Sequence, residues 1–345
     1  MLLEKLSNAF GVSGCETDVR AILKEELTPH VNSVLVDTLG NLLVHKKGAA
    51  DGLTVLISAH MDEVGMMVAD IEQNGLLKFY KVGGIDDRVL TSKLVEVGPD
   101  KVKGVIGAKA VHQQKADERD KTLTSEQLYI DIGAGSEEEA KKLVNTGDYI
   151  AFSAKAKPFG QNCFMGKALD NRLGCYILAE LLKLDLPISI WGVFTVQEEV
   201  GLRGSGVAAY QVKPDLALVV ETTTAADVAD TKEHRQATTL GKGPVVTFMD
   251  QSFAAHKGVF DFIIQTAEDN KMPYQFRRFT GAGTDAGRIS QTGAGVPTGV
   301  ISTPCRYLHG PRSVINLDDA KKVQELFMAL LKSLATGGYE KWKNS

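Results

Sequence analysis

Residues 53–62 read LTVLISAHMD. Leu53 to Ala59 make an apolar, β-branched run of strand length, and the run stops without a turn on His60, Met61 and Asp62. In open α/β sheets ligands bind beyond the carboxyl ends of the strands, so a strand that ends on an imidazole and a carboxylate is a place for chemistry. The question is whether other strands end in the same way.

Three do. ISIWGVFTV (188–196) is followed by Gln197, Glu198 and Glu199, LALVV (216–220) by Glu221, and GVPTGVIS (295–302), after the TPCRYL turn, by His309. Between these runs lie helical patterns over 171–185, 256–269 and 316–335, the last opening on a cap, Asn316 before Leu317-Asp318-Asp319. Residues 15–28 also alternate at helical spacing. Alternating elements predict an α/β fold, a mainly parallel sheet with helices on both faces.

From 65 to 163 the texture changes to short β-branched runs broken by glycine, among them LLKFYKVGG, KLVEVGPD, KVKGVIGAKA and GDYIAFSAK. This stretch reads as an inserted small β-barrel or sandwich. The α/β domain is then residues 1–64 and 164–345. Inside the insert, HQQKADERDKTLTSEQ (112–127) has no apolar anchor and reads as an excursion that orders only against a partner.

Composition narrows the function classes. A chain of 345 residues with a net charge of −4 shows no basic stripe for nucleic acid, and its apolar runs stop short of the roughly 20 residues that cross a bilayer. MLLEKLSNAF has no signal-peptide pattern, so a cytoplasmic protein is expected. Cys15, Cys163, Cys175 and Cys305 are scattered without a CxxC pair, which favours reduced thiols over a thiolate zinc site. Any metal must be held by oxygen and nitrogen.

Each strand-end residue alone has a bland reading, and Asp170, ahead of the helix DNRLGCYILAELL, reads singly as its N-cap. Together, two histidines and several carboxylates at one sheet edge form a donor set suited to zinc, cobalt or manganese. One catalytic zinc takes about three protein ligands, whereas five with a shared carboxylate suit two ions. Asp62, two residues after His60, can accept from the second ring nitrogen and orient the imidazole. Glu198 and Glu199 would point to opposite faces of a regular strand; both reach one pocket only if the strand ends there, where Gly201, Gly204 and Gly206 follow. One can then bind metal while the other acts as general base.

These residues lie in segments that resemble the tetrahedral aminopeptidase family, which includes glutamyl and leucyl aminopeptidases and proteins once labelled cellulase M. The segments are SAHMDEVG (58–65), GKALDNRLG (166–174), VQEEVGLRGS (196–205), LVVETTTAAD (218–227), GAGTDAGRI (281–289) and STPCRYLHG (302–310). The resemblance implies a dinuclear metalloprotease, a hydrolase that removes N-terminal residues from short peptides with a water activated by two metals, zinc or cobalt first. It implies that Asp170 bridges the ions, that His60 and Glu221 hold one and Glu199 and His309 the other, and that Glu198 is the base. It further implies that the insert is a PDZ-like dimerisation domain, and that dimers build a hollow homododecamer. Glu221 stands where relatives often carry aspartate.

Two other readings share the residues: a carboxypeptidase or N-acyl deacylase with the same ligands, and a non-catalytic assembly or carbohydrate-binding protein. Thr284 and Asp285 read as pocket wall and helix cap, and Arg306 as a substrate contact or a buttress for His309. Asp86, Asp87 and Arg88 read as a solvated turn of the insert.

Overall fold

The apolar strands lack polar alternation because both faces of their sheet are covered. In the computed structural model of the chain, which describes residues 1–114 and 120–340, they lie in one eleven-stranded sheet. Its main path runs Ser33–Val36, Leu42–Lys46, Ile188–Thr195, Ala50–His60, Leu216–Thr224, Thr298–Arg306, Ser313–Asn316, Cys163–Gly166, Lys157–Phe159. Val245–Thr247 branches from Thr298–Arg306 and carries Gln275–Phe276.

The sheet is mixed rather than mainly parallel. Ile188–Thr195, Ala50–His60, Leu216–Thr224 and Thr298–Arg306 run parallel, and on either side of them the path is antiparallel. Part of the change follows from connection length: helices precede Ile188–Thr195, Leu216–Thr224 and Thr298–Arg306, whereas the short turns at 37–41 and 307–312 reverse the chain into an antiparallel neighbour.

Side chains alternate between two cores. Val55, Ile57, Leu216, Leu218, Val220 and Phe194 pack under the helices Leu169–Leu182, Lys257–Asp269 and Leu317–Ala335, while Leu56, Ala217, Val219 and Val193 pack under Arg203–Val212 and Ala286–Ser290. Burying each Leu, Val or Phe contributes about 1.5–3 kcal/mol, so the strand ends are carried by a stiff platform. Asn316 caps the last helix as its sequence predicts, its side chain accepting from the Asp318 and Asp319 N–H groups. No helix among the described residues is long and apolar enough to cross a membrane.

The insert closes into an antiparallel barrel in the order Gly65–Ile71, Leu77–Val82, Leu128–Asp131, Val102–Ala108, Leu94–Val97, Tyr149–Phe152. Met66, Val68, Leu77, Phe79, Val95, Ile130 and Ile150 fill it. The large sheet regains the chain at Lys157, because Lys157–Phe159 forms a hairpin with Cys163–Gly166 through left-handed Gly160 and Asn162. The expected junction at 163/164 falls inside that hairpin. Of the excursion at 112–127, residues 115–119 lie outside the described residues. Its far end has an anchor after all, since Leu123 packs on the barrel core before the Ser125–Gln127 turn.

Candidate metal centre

Three consecutive residues, Asp170, Asn171 and Arg172, each have a separate task. Arg172 is fully buried and donates to the backbone oxygens of Met61, Leu6 and Gly11, with Glu63 as its counter-charge. This ties the segment to the strand end at His60. Asn171 donates to Val220 O at 2.8 Å and accepts from Gly174 N at 3.0 Å, so it holds the neighbouring strand and caps the first turn. The cap expected of Asp170 therefore belongs to Asn171. Asp170, whose peptide bond to Asn171 is cis and whose backbone is not helical, turns its carboxylate to the sheet edge.

Glu198 and Glu199 face one pocket because the strand stops at Thr195 and Gln197 is left-handed, with φ +56°. Asp62 holds the turn: Oδ1 accepts from Glu198 N at 3.0 Å and Oδ2 from Glu199 N at 3.1 Å, with the Ser13 hydroxyl donating at 2.6 Å. This is a task beyond the one expected of it beside His60. His60 Nδ1 donates to the backbone oxygen of Asp62 at 3.2 Å, and the carboxylate stands 3.4 Å from the ring nitrogen while serving the glutamate turn. Glu221 lies within its strand, which runs on to Thr224 rather than ending at Val220.

The six side chains converge. His60 Nε2 lies 3.2 Å from Asp170 Oδ1 and 3.5 Å from Glu221 Oε1. On the other side His309 Nε2 lies 3.4 Å from Asp170 Oδ2 and 3.2 Å from Glu199 Oε1. Two groups able to hold a cation, His60/Asp170/Glu221 and Asp170/Glu199/His309, thus share Asp170, and Glu198 joins only a third with His60 and Glu199. His309 Nδ1 is 2.8 Å from Gly84 O of the barrel, 225 residues away in sequence. With both Nδ1 atoms given to carbonyls, a neutral ring aims the lone pair of Nε2 at carboxylate oxygens, an opposition relieved by a proton on Nε2 or by a metal cation between them.

The fit to metal follows from these contacts. Donor atoms about 2.0–2.1 Å from a tetrahedral ion stand about 3.3–3.4 Å apart, and the four separations here are 3.2–3.5 Å. Glu221 Oε2 is buried without a hydrogen-bond partner, and Glu199 Oε1 faces His309 without hydrogen-bond geometry. The electrostatics agree. Burial disfavours charge at Asp170, but His309 and His60 draw its carboxyl well below the usual range. Burial pushes Glu221 up to about 7, and with Glu199, Glu221 and Asp285 nearby it pushes Glu198 well up. His309 is pushed up to about 11 against its burial by Asp170 and Glu199. A field that draws a proton to an imidazole so strongly also draws a divalent cation.

The site opens into a cavity of about 640 Å³. Thr284 is on its wall, donating to Asp250 at 2.9 Å. Two expected contacts are elsewhere. Asp285 is fully buried behind the wall, where it accepts from the Thr195 hydroxyl at 2.5 Å and makes no cap bond. Arg306 is engaged by Asp227 through two 2.7 Å bonds, a pairing that satisfies its planar fork away from the cavity. The wall instead carries Arg277, Gln251 and Ser252, and the barrel adds Gly84, Asp86 and Val89. Asp86, expected in a solvated turn, is thus at the cavity although paired with Arg88. Thr222 to Thr224 were within reach of strand-end reasoning; Gly84 and Arg277 carry no local signal.

A model of the M42 glutamyl aminopeptidase family matches residues 40–326. The chain is 37% identical to a TET aminopeptidase from a marine sediment archaeon of the Thaumarchaeota, whose crystal structure superposes with a TM-score of 0.95 over 99% of this chain and 98% of that one. It is 32% identical to a TET1 peptidase of Pyrococcus horikoshii described as assembling into a tetrahedron or a large octahedral shell, with a TM-score of 0.83 over 96% and 99% of the two chains. A glutamyl aminopeptidase of Lactococcus lactis is 30% identical over 99% of this chain and 98% of its own length. Since the family model spans most of the chain and the paired cation-binding groups sit at its sheet edge, the chain belongs to the M42 glutamyl aminopeptidase family, the tetrahedral aminopeptidases, and is a dinuclear metal-dependent aminopeptidase.

Proposed function

We propose that the chain removes N-terminal residues from short peptides with two divalent ions, bridged by Asp170, one completed by His60 and Glu221 and the other by Glu199 and His309. The observation that carries this is the sharing of Asp170 between two cation-binding groups, one oxygen toward each imidazole. The mixed nitrogen and oxygen donors suit zinc or cobalt and accept manganese. Bound ions supply Lewis-acid polarisation of the scissile carbonyl and a water of lowered pKa. Glu198, beside both groups and within neither, takes the proton of the attacking water and returns it to the leaving amine. Asp62 keeps its carboxylate in place through the 3.0 Å bond to the Glu198 backbone.

The side chain of the first substrate residue lies against Gln251, Ser252, Arg277 and Thr284. Arg277 lines this part of the cavity and its guanidinium is loosely held, Nη2 donating to Ala282 O at 3.3 Å and Nη1 standing 3.9 Å from Asp250, so a carboxylate or amide finds a donor there. With zinc- or cobalt-loaded protein and anilides of Glu, Leu and Lys, each with a free and an acetylated amine, hydrolysis of the free-amine set alone is expected. Turnover of only the acetylated set would replace the aminopeptidase reading with a deacylase. Arg277→Leu should reduce the Glu-to-Leu ratio of kcat/KM about tenfold or more, the worth of one charge-assisted hydrogen bond; an unchanged ratio removes Arg277 from specificity.

The inserted barrel serves dimerisation in this reading, and dimers build a hollow dodecamer. Support comes from the shell-forming Pyrococcus horikoshii relative. Light scattering is expected to show a mass near twelve chains, and a monomer alone would refute the assembly while leaving the chemistry intact.

A further inference from the structure

Among the described residues no strand pairs with the turn that carries Glu198 and Glu199, yet four successive N–H groups along it are taken by side chains. Val196 N donates to Asn41 Oδ1 at 3.0 Å, Gln197 N to Glu16 Oε1 at 3.2 Å, and Glu198 N and Glu199 N to the two oxygens of Asp62. The partners lie 155, 181, 136 and 137 residues away in sequence. Glu16 and Asn41 are buried, and each is fixed in turn. Glu16 Oε1 also accepts from Gly14 N at 2.7 Å, and Asn41 Nδ2 donates to Gly204 O at 3.0 Å and Asp37 Oδ2 at 2.6 Å. Gly204 closes the turn from the far side, donating to Val196 O at 3.1 Å, and a Cβ there would strike Asn41 Oδ1 at 2.3 Å.

We propose that Glu16 and Asn41 are positioning residues that, with Asp62, hold the 196–199 backbone in the conformation that aims both glutamates into one pocket. This rests on the reading of Glu198 as base and Glu199 as ligand. The need is geometric. Neighbouring side chains diverge on an extended backbone, and Gln197, at φ +56°, supplies the reversal. A non-glycine residue at positive φ is disfavoured unless its surroundings hold it. Glu16 grips the N–H of that very residue, and Asn41 the one before it. Displacement of a reacting group by about 1 Å lowers turnover about 10²-fold.

The test compares Glu16→Gln, which keeps a carbonyl acceptor for both N–H groups, with Glu16→Met, which matches its length without an acceptor. Metal-saturated proteins are assayed for kcat and KM on an aminoacyl anilide well below their Tm, alongside bound metal. Glu16→Met is expected to lower kcat by about tenfold to 10²-fold with KM within about twofold, and Glu16→Gln to stay within about threefold of the parent. A Met variant as active as the parent, or a Gln variant as impaired as Met, overturns the proposal. Should Glu16→Met not fold, Glu16→Asp, whose carboxylate is drawn back by one methylene, is read by the same kcat criterion. Glu198→Gln reports on the base alone: if it stays active that reading fails, whereas an inert Glu198→Gln beside an unaffected Glu16→Met removes only the positioning role.

Discussion

Glu198→Gln is expected to abolish most hydrolysis of aminoacyl anilides, by about 10²–10⁴-fold in kcat, while two metal ions per chain remain bound. Glutamine preserves the size of the side chain, and the backbone bond from Glu198 N to Asp62 is untouched. What is lost is a carboxylate that can take and return a proton. Metal should stay because Glu198 belongs to neither of the two groups that share Asp170. Nor is its carboxylate needed to fill the cavity, which is walled by Leu202, Thr222 and Thr284 as well. The result that would sink the assignment is full activity in the glutamine variant. Loss of one ion together with activity would instead make Glu198 a ligand.

Asp170→Ala is expected to have the other large effect, here on metal content first and activity second. One carboxylate faces both imidazoles, at 3.2 Å and 3.4 Å, so its removal takes a donor from both groups at once. It also removes the negative charge that His309 and His60 hold ionised in a buried setting. Bound metal should fall below two per chain and kcat by about 10³-fold or more, since the ions supply several kcal/mol of transition-state stabilisation and each 1.36 kcal/mol is a factor of ten. The fold should survive, because Asn171 and Arg172 make the structural contacts of this segment. Two ions retained with kcat within tenfold of the parent would show that Asp170 does not bridge.

The residues for these two variants were legible to different degrees. Glu198, Glu199, Glu221 and His60 follow apolar runs directly, and such runs are buried strands whose ends meet at one sheet edge. Asp170 has no such mark: its local pattern is that of a helix cap, and the cap is in fact made by its neighbour Asn171. His309 lies beyond a turn and takes a left-handed backbone at φ +55°, so its place, like that of Asp170, came from family likeness. Arg306 and Arg277 show the limit from the other side. Both are cations near site motifs, and the pairing of Arg306 with Asp227 and the opening of Arg277 to the cavity depend on folds of the chain far from either.

The sequence by itself determined the α/β class, the β-rich insert, and the donor types at the strand ends, because these follow from short-range periodicity and from where each apolar run stops. Only the tertiary structure decided that the sheet turns antiparallel at its edges, that Asp62 serves the Glu198–Glu199 turn as well as His60, and that the barrel reaches the site through Gly84. The last two rest on contacts across more than a hundred residues, set by how the cores pack. A backbone carbonyl or an N–H group is the same on every residue, so nothing in a sequence marks which of them will hold a functional side chain in place.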